Sequence, residues 1–184
     1  MSEWFVRQEV GQGMHRYTLE QAVEIASESA LRGMRNFEPE IHIASTGDVL
    51  IAASELVVIA DVIRVALGNV KAHSKKVRGR PKVEIDVVEN LEEEIIKFRV
   101  VSDIAPGVRC DETERKLDEI RSDINAKTYG IKVRSEGGSG LRKLASIVHQ
   151  STKGRIEFGF MSDEKFFLDV DLSFFVSSQF GVVA

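Results

Sequence analysis

Strand-like segments occur in pairs along this chain, and helix-like segments separate one pair from the next. Within each pair, apolar and polar side chains alternate, or a short apolar run follows a turn such as Thr46-Gly47-Asp48. The predicted strand pairs are 40–45 with 49–52, 82–87 with 95–101, and 155–161 with 166–172. Paired strands predict a mixed, mostly antiparallel sheet with helices on one face, which is a two-layer α/β sandwich of the α+β class.

Helical signals lie between these strand pairs. Thr18 and Gln21 form a predicted capping box at the start of the first helix. Ser54 is expected to cap a long helix that runs to about Lys75, with an apolar stripe at positions i, i+3, i+4 and i+7. Two further helices are predicted at 111–126 and 141–151.

Composition limits the class of protein. The chain has 184 residues, of which 43% are hydrophobic, so it can form one domain with a substantial core. Its one cysteine, Cys110, excludes a disulfide framework or a thiolate metal cluster within a single chain. The net charge of -4 argues against a nucleic-acid-binding protein. No membrane-spanning run and no signal peptide are visible, so we expect a cytoplasmic domain.

A first candidate site lies on the long helix. Val62, Val65, Asn69 and His73 form a second stripe beside the apolar core stripe. Asn69 therefore places a short amide side chain at the boundary between core and solvent. Taken alone, this pattern is also that of a surface asparagine without a function.

A second candidate site follows the strand at 95–101. The carboxylate of Asp103 can accept a hydrogen bond from an exocyclic amine, and Gly107 lets the backbone approach a planar ligand. The same residues are also compatible with an ordinary turn that begins at an aspartate.

A third candidate site is the segment Gly137-Gly138-Ser139-Gly140-Leu141, which precedes a predicted helix. Small residues at this position leave backbone N–H groups free to hold a phosphate. The segment is neither a Walker loop nor a Rossmann loop, because it lacks the Gly-Lys-Ser/Thr ending and the preceding strand of a βαβ unit. Alone, it also has the composition of a flexible loop.

In this order and spacing, the three sites resemble the motifs of the GHKL superfamily, which has the Bergerat ATP-binding fold of gyrase, heat-shock chaperone, histidine kinase and mismatch-repair proteins. Residues 66–74 resemble the N-box, residues 103–108 the Asp-x-Gly-Pro-Gly box, and residues 138–141 the Gly-x-Gly-Leu box. The match is closest to histidine-kinase catalytic domains. It covers about residues 18–174, including the terminal hairpin.

The resemblance also implies an organisation of the chain. Residues 1–17 would be a lead-in with an edge strand, and residues 18–174 the ATP-binding domain. Residues of about 108–137 would form a mobile lid over the nucleotide, and residues 175–184 a short tail.

Individual residues receive roles from the resemblance. Asn69 would coordinate the Mg²⁺ that bridges the ATP phosphates, and His73 would lie at the edge of the cleft. Asp103 would bond to the adenine amino group, while Ala105 and Gly107 would shape the adenine pocket. The other implied nucleotide-binding residues, which bring the lid backbone or a cation to the phosphates, are Gly138, Ser139, Gly140, Leu141 and Arg142.

Two departures from the family pattern bear on catalysis. Val65 stands where the ATPases of this superfamily carry a glutamate general base and histidine kinases a polar residue. A valine can neither orient nor deprotonate a water molecule, so gyrase-type hydrolysis is not expected and no catalytic residue is assigned. Ala105 replaces the first glycine of the Asp box, which narrows the implied pocket.

Three functions remain open at this point. The first is an ATP- and Mg²⁺-binding domain of the histidine-kinase type, whose phospho-acceptor belongs to a protein partner or a separate domain; a homodimer is possible. The second is a free-standing serine kinase similar to those that regulate anti-sigma-factor systems. The third is an ATP-dependent switch without catalysis, which the replacements at Val65 and Ala105 favour. No acceptor histidine is visible on a helical hairpin, since His15 lies in the lead-in and His42 in a strand.

Overall fold

A computed structural model of the chain describes residues 16–74, 79–128, 139–150 and 153–173. In chain order, its elements are β1 (Arg16–Thr18), α1 (Leu19–Arg32), β2 (Glu40–Thr46), β3 (Leu50–Ala52), α2 (Ala53–His73), β4 (Lys82–Asn90), β5 (Ile95–Asp103), α3 (Asp111–Asn125), α4 (Ser139–Val148), β6 (Arg155–Phe160) and β7 (Lys165–Ser173). The lead-in before Arg16 and the tail after Ser173, both parts of the predicted organisation, lie outside the described residues.

Five strands form one sheet in the order β2-β4-β5-β7-β6. β2 and β4 are parallel, and every other neighbouring pair is antiparallel. Along β4, Val83, Ile85 and Val87 are fully buried while the residues between them are exposed, because one face of the sheet packs on the helices and the other faces solvent. The predicted two-layer architecture is confirmed.

The helical layer begins with the capping box predicted at Thr18. The Gln21 N–H donates to Thr18 Oγ1 at 3.2 Å, and the Thr18 N–H donates to Gln21 Oε1 at 3.1 Å. α1 then packs along α2, which carries the apolar stripe expected of it. None of the described helices combines the length and apolar content needed to cross a membrane.

The start of α2 differs from the prediction. The helix begins at Ala53, Ala52 occupies the N-cap position, and Ser54 already lies inside the first turn, so the predicted cap by Ser54 is wrong. Instead, the Glu55 carboxylate accepts a hydrogen bond of 2.9 Å from the Ala52 N–H. This acidic side chain satisfies one N–H group near the helix N-terminus, and its charge favours that end of the helix dipole.

The first predicted strand pair does not form. β3 pairs with β1, whereas β2 pairs in parallel with β4. A glutamate of β4 contacts the loop between β2 and β3: the Glu89 carboxylate accepts a 2.8 Å hydrogen bond from the Val49 N–H, and its side chain packs against Gly47. Gly47 has φ +132°, and a Cβ at this position would clash with the Glu89 side chain, so the turn after β2 favours glycine.

Candidate functional site

A small, mainly apolar pocket lies where α2, α3 and the start of α4 meet the end of β5. Its volume is about 50 Å³. Ligand pockets usually have volumes of about 300–1,000 Å³, so this pocket is smaller than most ligand sites. Its polar side chains are those of Asn69, His73, Ser102 and Thr113. Its other lining residues are Val70, Ile104, Val108, Leu117, Leu141, Phe160 and Phe166.

Asn69 has an unusual environment in this pocket. Among the described residues, its buried Nδ2 has no hydrogen-bond partner. Its Oδ1 faces the first turn of α4, where a Cβ on Gly140 would lie 3.5 Å from Oδ1 and 3.4 Å from Val65 Cγ1. Buried amides are nearly always paired in proteins, and binding of a polar ligand at this position would account for the exception.

The turn after β5 is bound to the end of α2. The Ala105 N–H donates a 3.0 Å hydrogen bond to the carbonyl of His73, and the Val108 N–H donates to the Ala105 carbonyl at 3.1 Å. Pro106 and Gly107 occupy the centre of this turn, and Gly107 has φ +78°. This is the arrangement of a type II turn, in which the third position favours glycine. The two predicted motifs are therefore in direct contact.

Asp103 lies on the other face of the sheet. Its Oδ2 accepts a 2.8 Å hydrogen bond from the Lys82 N–H, and its Oδ1 lies 2.9 Å from Lys165 Nζ. Ser102, its neighbour on β5, is buried and lines the pocket. The role that the resemblance gives to Asp103 stays a prediction, and in this structure the carboxylate is occupied with two lysine residues.

Arg142 is also engaged away from the pocket. Its guanidinium donates hydrogen bonds of 3.0 and 2.8 Å to Asp123 Oδ2, and both side chains are only 12% exposed. This pair joins α4 to α3. A further arginine of α3, Arg121, donates a 2.7 Å hydrogen bond to the Phe158 carbonyl on β6. α3 thus covers the pocket as a helix that is fixed to its surroundings at several points.

The N-terminal end of α3 carries the chain's single cysteine. Cys110 is the N-cap residue, and its Sγ lies 3.2 Å from Oγ1 of Thr113, which also lines the pocket. This hydrogen bond lowers the pKa of the exposed Cys110 thiol. Arg109, one residue earlier, pairs with Glu114 at 2.8 Å and with Asp163 at 3.3 Å.

The glycine box is described only in part. Gly138 lies outside the described residues, while α4 begins at Ser139, two residues before the predicted start. Leu141 is buried and lines the pocket. No group of three or more histidine, cysteine or acidic residues suited to a metal ion occurs in the part of the chain that the structure describes.

The structure thus brings together Asn69, His73, the start of α4 and the turn after β5, and it does not bring Asp103 or Arg142 to them. Sequence reasoning missed Ser102, Thr113 and the two aromatic side chains of the terminal hairpin as pocket residues. The alternation along β5 could have identified Ser102, because it shares the face of Phe98 and Val100.

Comparisons with known proteins agree with this fold. A family profile described as "y4jQ C-terminal putative histidine kinase domain" matches residues 18–176, which is most of the chain. This chain belongs to that family. The resemblance to histidine-kinase catalytic domains that the motifs predicted is confirmed. Curated protein sequences give no match.

Solved structures of similar fold include several histidine kinases. The catalytic domain of the histidine kinase ThkA has a TM-score of 0.59 and 12% identity, over 87% of this chain and 95% of that domain. The Acinetobacter baumannii histidine kinase AdeS has a TM-score of 0.56 and 14% identity, over 86% of this chain and 66% of the AdeS chain. The mycobacterial sensor histidine kinase MprB has a TM-score of 0.54 and 12% identity, over 86% of this chain and 96% of the MprB chain. At these identities, the likeness concerns the fold.

Proposed function

We propose that this histidine-kinase-like domain binds a complex of ATP and Mg²⁺ among α2, α3 and α4 and serves phosphoryl transfer to a residue of another domain or protein. The observation that supports the proposal most directly is Asn69. Its Nδ2 is buried and has no hydrogen-bond partner among the described residues, and its Oδ1 faces the first turn of α4.

The residues present fit a nucleotide-bound magnesium ion. Mg²⁺ in such sites takes one or two protein oxygens and otherwise binds water and phosphate oxygens, so it needs no cluster of acidic side chains. Asn69 would supply the amide oxygen. When bound, Mg²⁺ neutralises negative charge on the phosphates and thereby assists phosphoryl transfer.

The first turn of α4 would hold the phosphates. Its backbone N–H groups have no partner within the helix, and the positive end of the helix dipole lies there. Gly140 has no side chain, and a Cβ at this position would lie 3.5 Å from Asn69 Oδ1. The roles of Gly138 and Ser139 in this contact remain predictions.

Nucleotide entry requires the pocket to widen. The pocket of about 50 Å³ is smaller than a purine needs, and Thr113 and Leu117 of α3 form part of its wall. α3 belongs to the segment predicted as the lid, residues 108–137. Closure of such an element over a bound nucleotide excludes water from the phosphates.

Val65 supports transfer or switching rather than hydrolysis. It packs against the core beside Gly140, one helical turn before Asn69, and an apolar side chain there cannot activate water. Transfer to a separate acceptor depends mainly on positioning and electrostatic stabilisation. The same replacement keeps an ATP-dependent switch without catalysis as a second candidate function.

Two experiments test the proposal. Isothermal titration of the full chain with ATP and with a non-hydrolysable analogue, in Mg²⁺ and in EDTA, should show binding that Mg²⁺ strengthens; absence of binding would refute the proposal. Incubation with labelled ATP and candidate partner proteins then separates the alternatives. Acid-labile label indicates transfer to histidine, acid-stable label indicates a serine kinase, and binding without label indicates a switch.

A further inference from the structure

Two neighbouring polar residues at the end of β5 face opposite sides of the sheet. Side chains alternate along a strand, so Ser102 shares its face with Phe98 and Val100, and Asp103 points to the other face. The pairing register agrees: Ser102 lies opposite the fully buried Val83 of β4.

Ser102 is placed to meet a ligand in the pocket. It is 4% exposed, lines the pocket with Asn69 and His73, and pairs across the sheet with Phe166 of β7. The ring of Phe166 packs edge-on against that of Phe160, with 5.5 Å between the ring centroids, and both rings line the same pocket. Apolar walls with a hydroxyl between them suit the flat faces and polar edge of a nucleotide base.

Asp103 is held by contacts that a base would have to replace. Its two carboxylate oxygens are occupied by the Lys82 N–H at 2.8 Å and by Lys165 Nζ at 2.9 Å. Lys165 is also 3.9 Å from the Glu84 carboxylate on the solvent face of the sheet. For Asp103 to reach the pocket, the strand would have to rotate at its end and break both contacts.

We infer that Ser102, rather than Asp103, faces the nucleotide base, and that the pocket accepts purine nucleotides with either an amino or a carbonyl group at position 6. The inference rests on the proposed nucleotide-binding function. A carboxylate only accepts hydrogen bonds and therefore selects an amino group. A serine hydroxyl can accept a hydrogen bond from an amino group or donate one to a carbonyl group. It therefore does not discriminate between purines that carry an amino group and purines that carry a carbonyl group at position 6.

Affinities for ATP and for inosine triphosphate, which carries a carbonyl at position 6, test the inference. We expect the two dissociation constants of the wild-type chain in Mg²⁺ to differ by less than about fivefold, since either hydrogen bond has a similar net strength. Ser102→Ala should weaken both by roughly two- to tenfold. Ser102→Asp should bind ATP more than about tenfold more tightly than inosine triphosphate, because its carboxylate would face the carbonyl group of inosine triphosphate without a hydrogen bond.

Asp103→Asn is the matched control on the neighbouring position. It should leave the ratio of the two dissociation constants unchanged, even if the loss of the contact to Lys165 alters the affinity for both nucleotides equally. A strong preference of the wild-type chain for ATP that Asp103→Asn abolishes would overturn the inference while supporting nucleotide binding. If neither nucleotide binds, the proposed function fails and the inference fails with it. Ser102→Ala keeps the test valid if Ser102→Asp does not fold, since it introduces no buried charge.

Discussion

The guanidinium of Arg142 on α4 donates two hydrogen bonds to a single carboxylate oxygen of Asp123 on α3. Both side chains are 12% exposed, so the pair lies in the interior, between two helices that border the pocket. A residue that the family resemblance assigned to phosphate binding therefore has a structural partner. This contact connects the stability of the domain with the position of α3.

Arg142→Ala should destabilise the domain. The substitution removes a charged hydrogen-bonding partner of the nearly buried Asp123 carboxylate, which costs up to about 3 kcal/mol of unfolding free energy. Chemical denaturation measures this loss. Arg32→Ala is the matched control, because its pair with Glu28 is exposed and contributes less than about 1 kcal/mol. Unchanged stability with a selective loss of nucleotide affinity would instead favour the phosphate-binding role.

Asn69→Ala should remove the magnesium-dependent part of ATP binding. The variant lacks the amide oxygen, so we expect its affinity in Mg²⁺ to fall to the value measured in EDTA. Titration calorimetry under both conditions tests this.

Gly68→Ala, at the preceding position of α2, is the control for Asn69→Ala, since a Cβ there meets no described atom within 4 Å. It should retain binding and raise the stability of the helix by up to about 1 kcal/mol. Magnesium dependence that persists in Asn69→Ala would contradict the metal role.

Gly140→Val should block ATP binding, whereas Gly140→Ala should permit it. A Cβ at this position makes ordinary contacts of 3.4 Å with Val65 and 3.5 Å with Asn69, so a methyl group fits. A branched side chain would fill the space in front of the Asn69 amide. Thermal shift with and without ATP compares the two variants. Equal ATP-induced shifts in both would show that the phosphates bind elsewhere.

Gly107→Ala should destabilise the turn after β5. Gly107 has φ +78°, a conformation that costs an L-residue about 1–2 kcal/mol, although the added methyl meets no described atom within 4 Å. Thermal unfolding should therefore show a lower midpoint. Gly33→Ala at the end of α1 is the control, since Gly33 has φ −83°. If both substitutions have the same effect, backbone strain at Gly107 is not the cause.

Asp169→Asn should stabilise the domain at neutral pH. Burial raises the pKa of Asp169 above its usual 3.8, despite the nearby Arg99. Because the folded-state pKa exceeds the unfolded-state value, the ionised carboxylate disfavours the folded state, and this penalty is lost as the pH falls through the raised pKa. Other charges that act on Asp169 are those of Glu157, Asp171 and Arg155.

Urea unfolding at several pH values measures this effect. The unfolding free energy of Asp169→Asn should exceed that of wild type at pH 7 by less than about 1 kcal/mol, since solvent screens this partly exposed group. The difference should vanish below pH 3.8, where wild-type Asp169 is protonated in both states. A variant that is less stable at pH 7 would show that the attraction to Arg99 outweighs burial.

Local patterns predicted much of this fold. The capping box at Thr18, the alternation along β4 and the helix at 111–125 depend on neighbouring residues, and the structure has all three. The pairing of β3 with β1 could not be predicted from such local patterns. The loop before β3 is held by the hydrogen bond between Val49 and Glu89, which are 40 residues apart, and spacing alone does not reveal such a contact.

In the candidate site too, some contacts could be predicted from the sequence and others depend on long-range packing. The family resemblance implied that residues 66–74 and residues 103–108 border one site, and the hydrogen bond from the Ala105 N–H to the His73 carbonyl joins these two segments. The pairing of Arg142 with Asp123 requires the packing of α3 on α4, which the sequence pattern does not specify. The face of Asp103 was predictable from strand alternation, but a motif match considers identity and spacing rather than direction.

The position of β7 has a consequence for folding during synthesis. The last strand of the described chain lies inside the sheet, between β5 and β6, rather than at its edge. Until residues 165–173 have left the ribosome, β5 presents an unpaired edge, and Phe98 and Val100 lack their partners on β7, Val170 and Leu168. In a nascent chain that pauses before β7, this unpaired edge is a site at which other chains can pair.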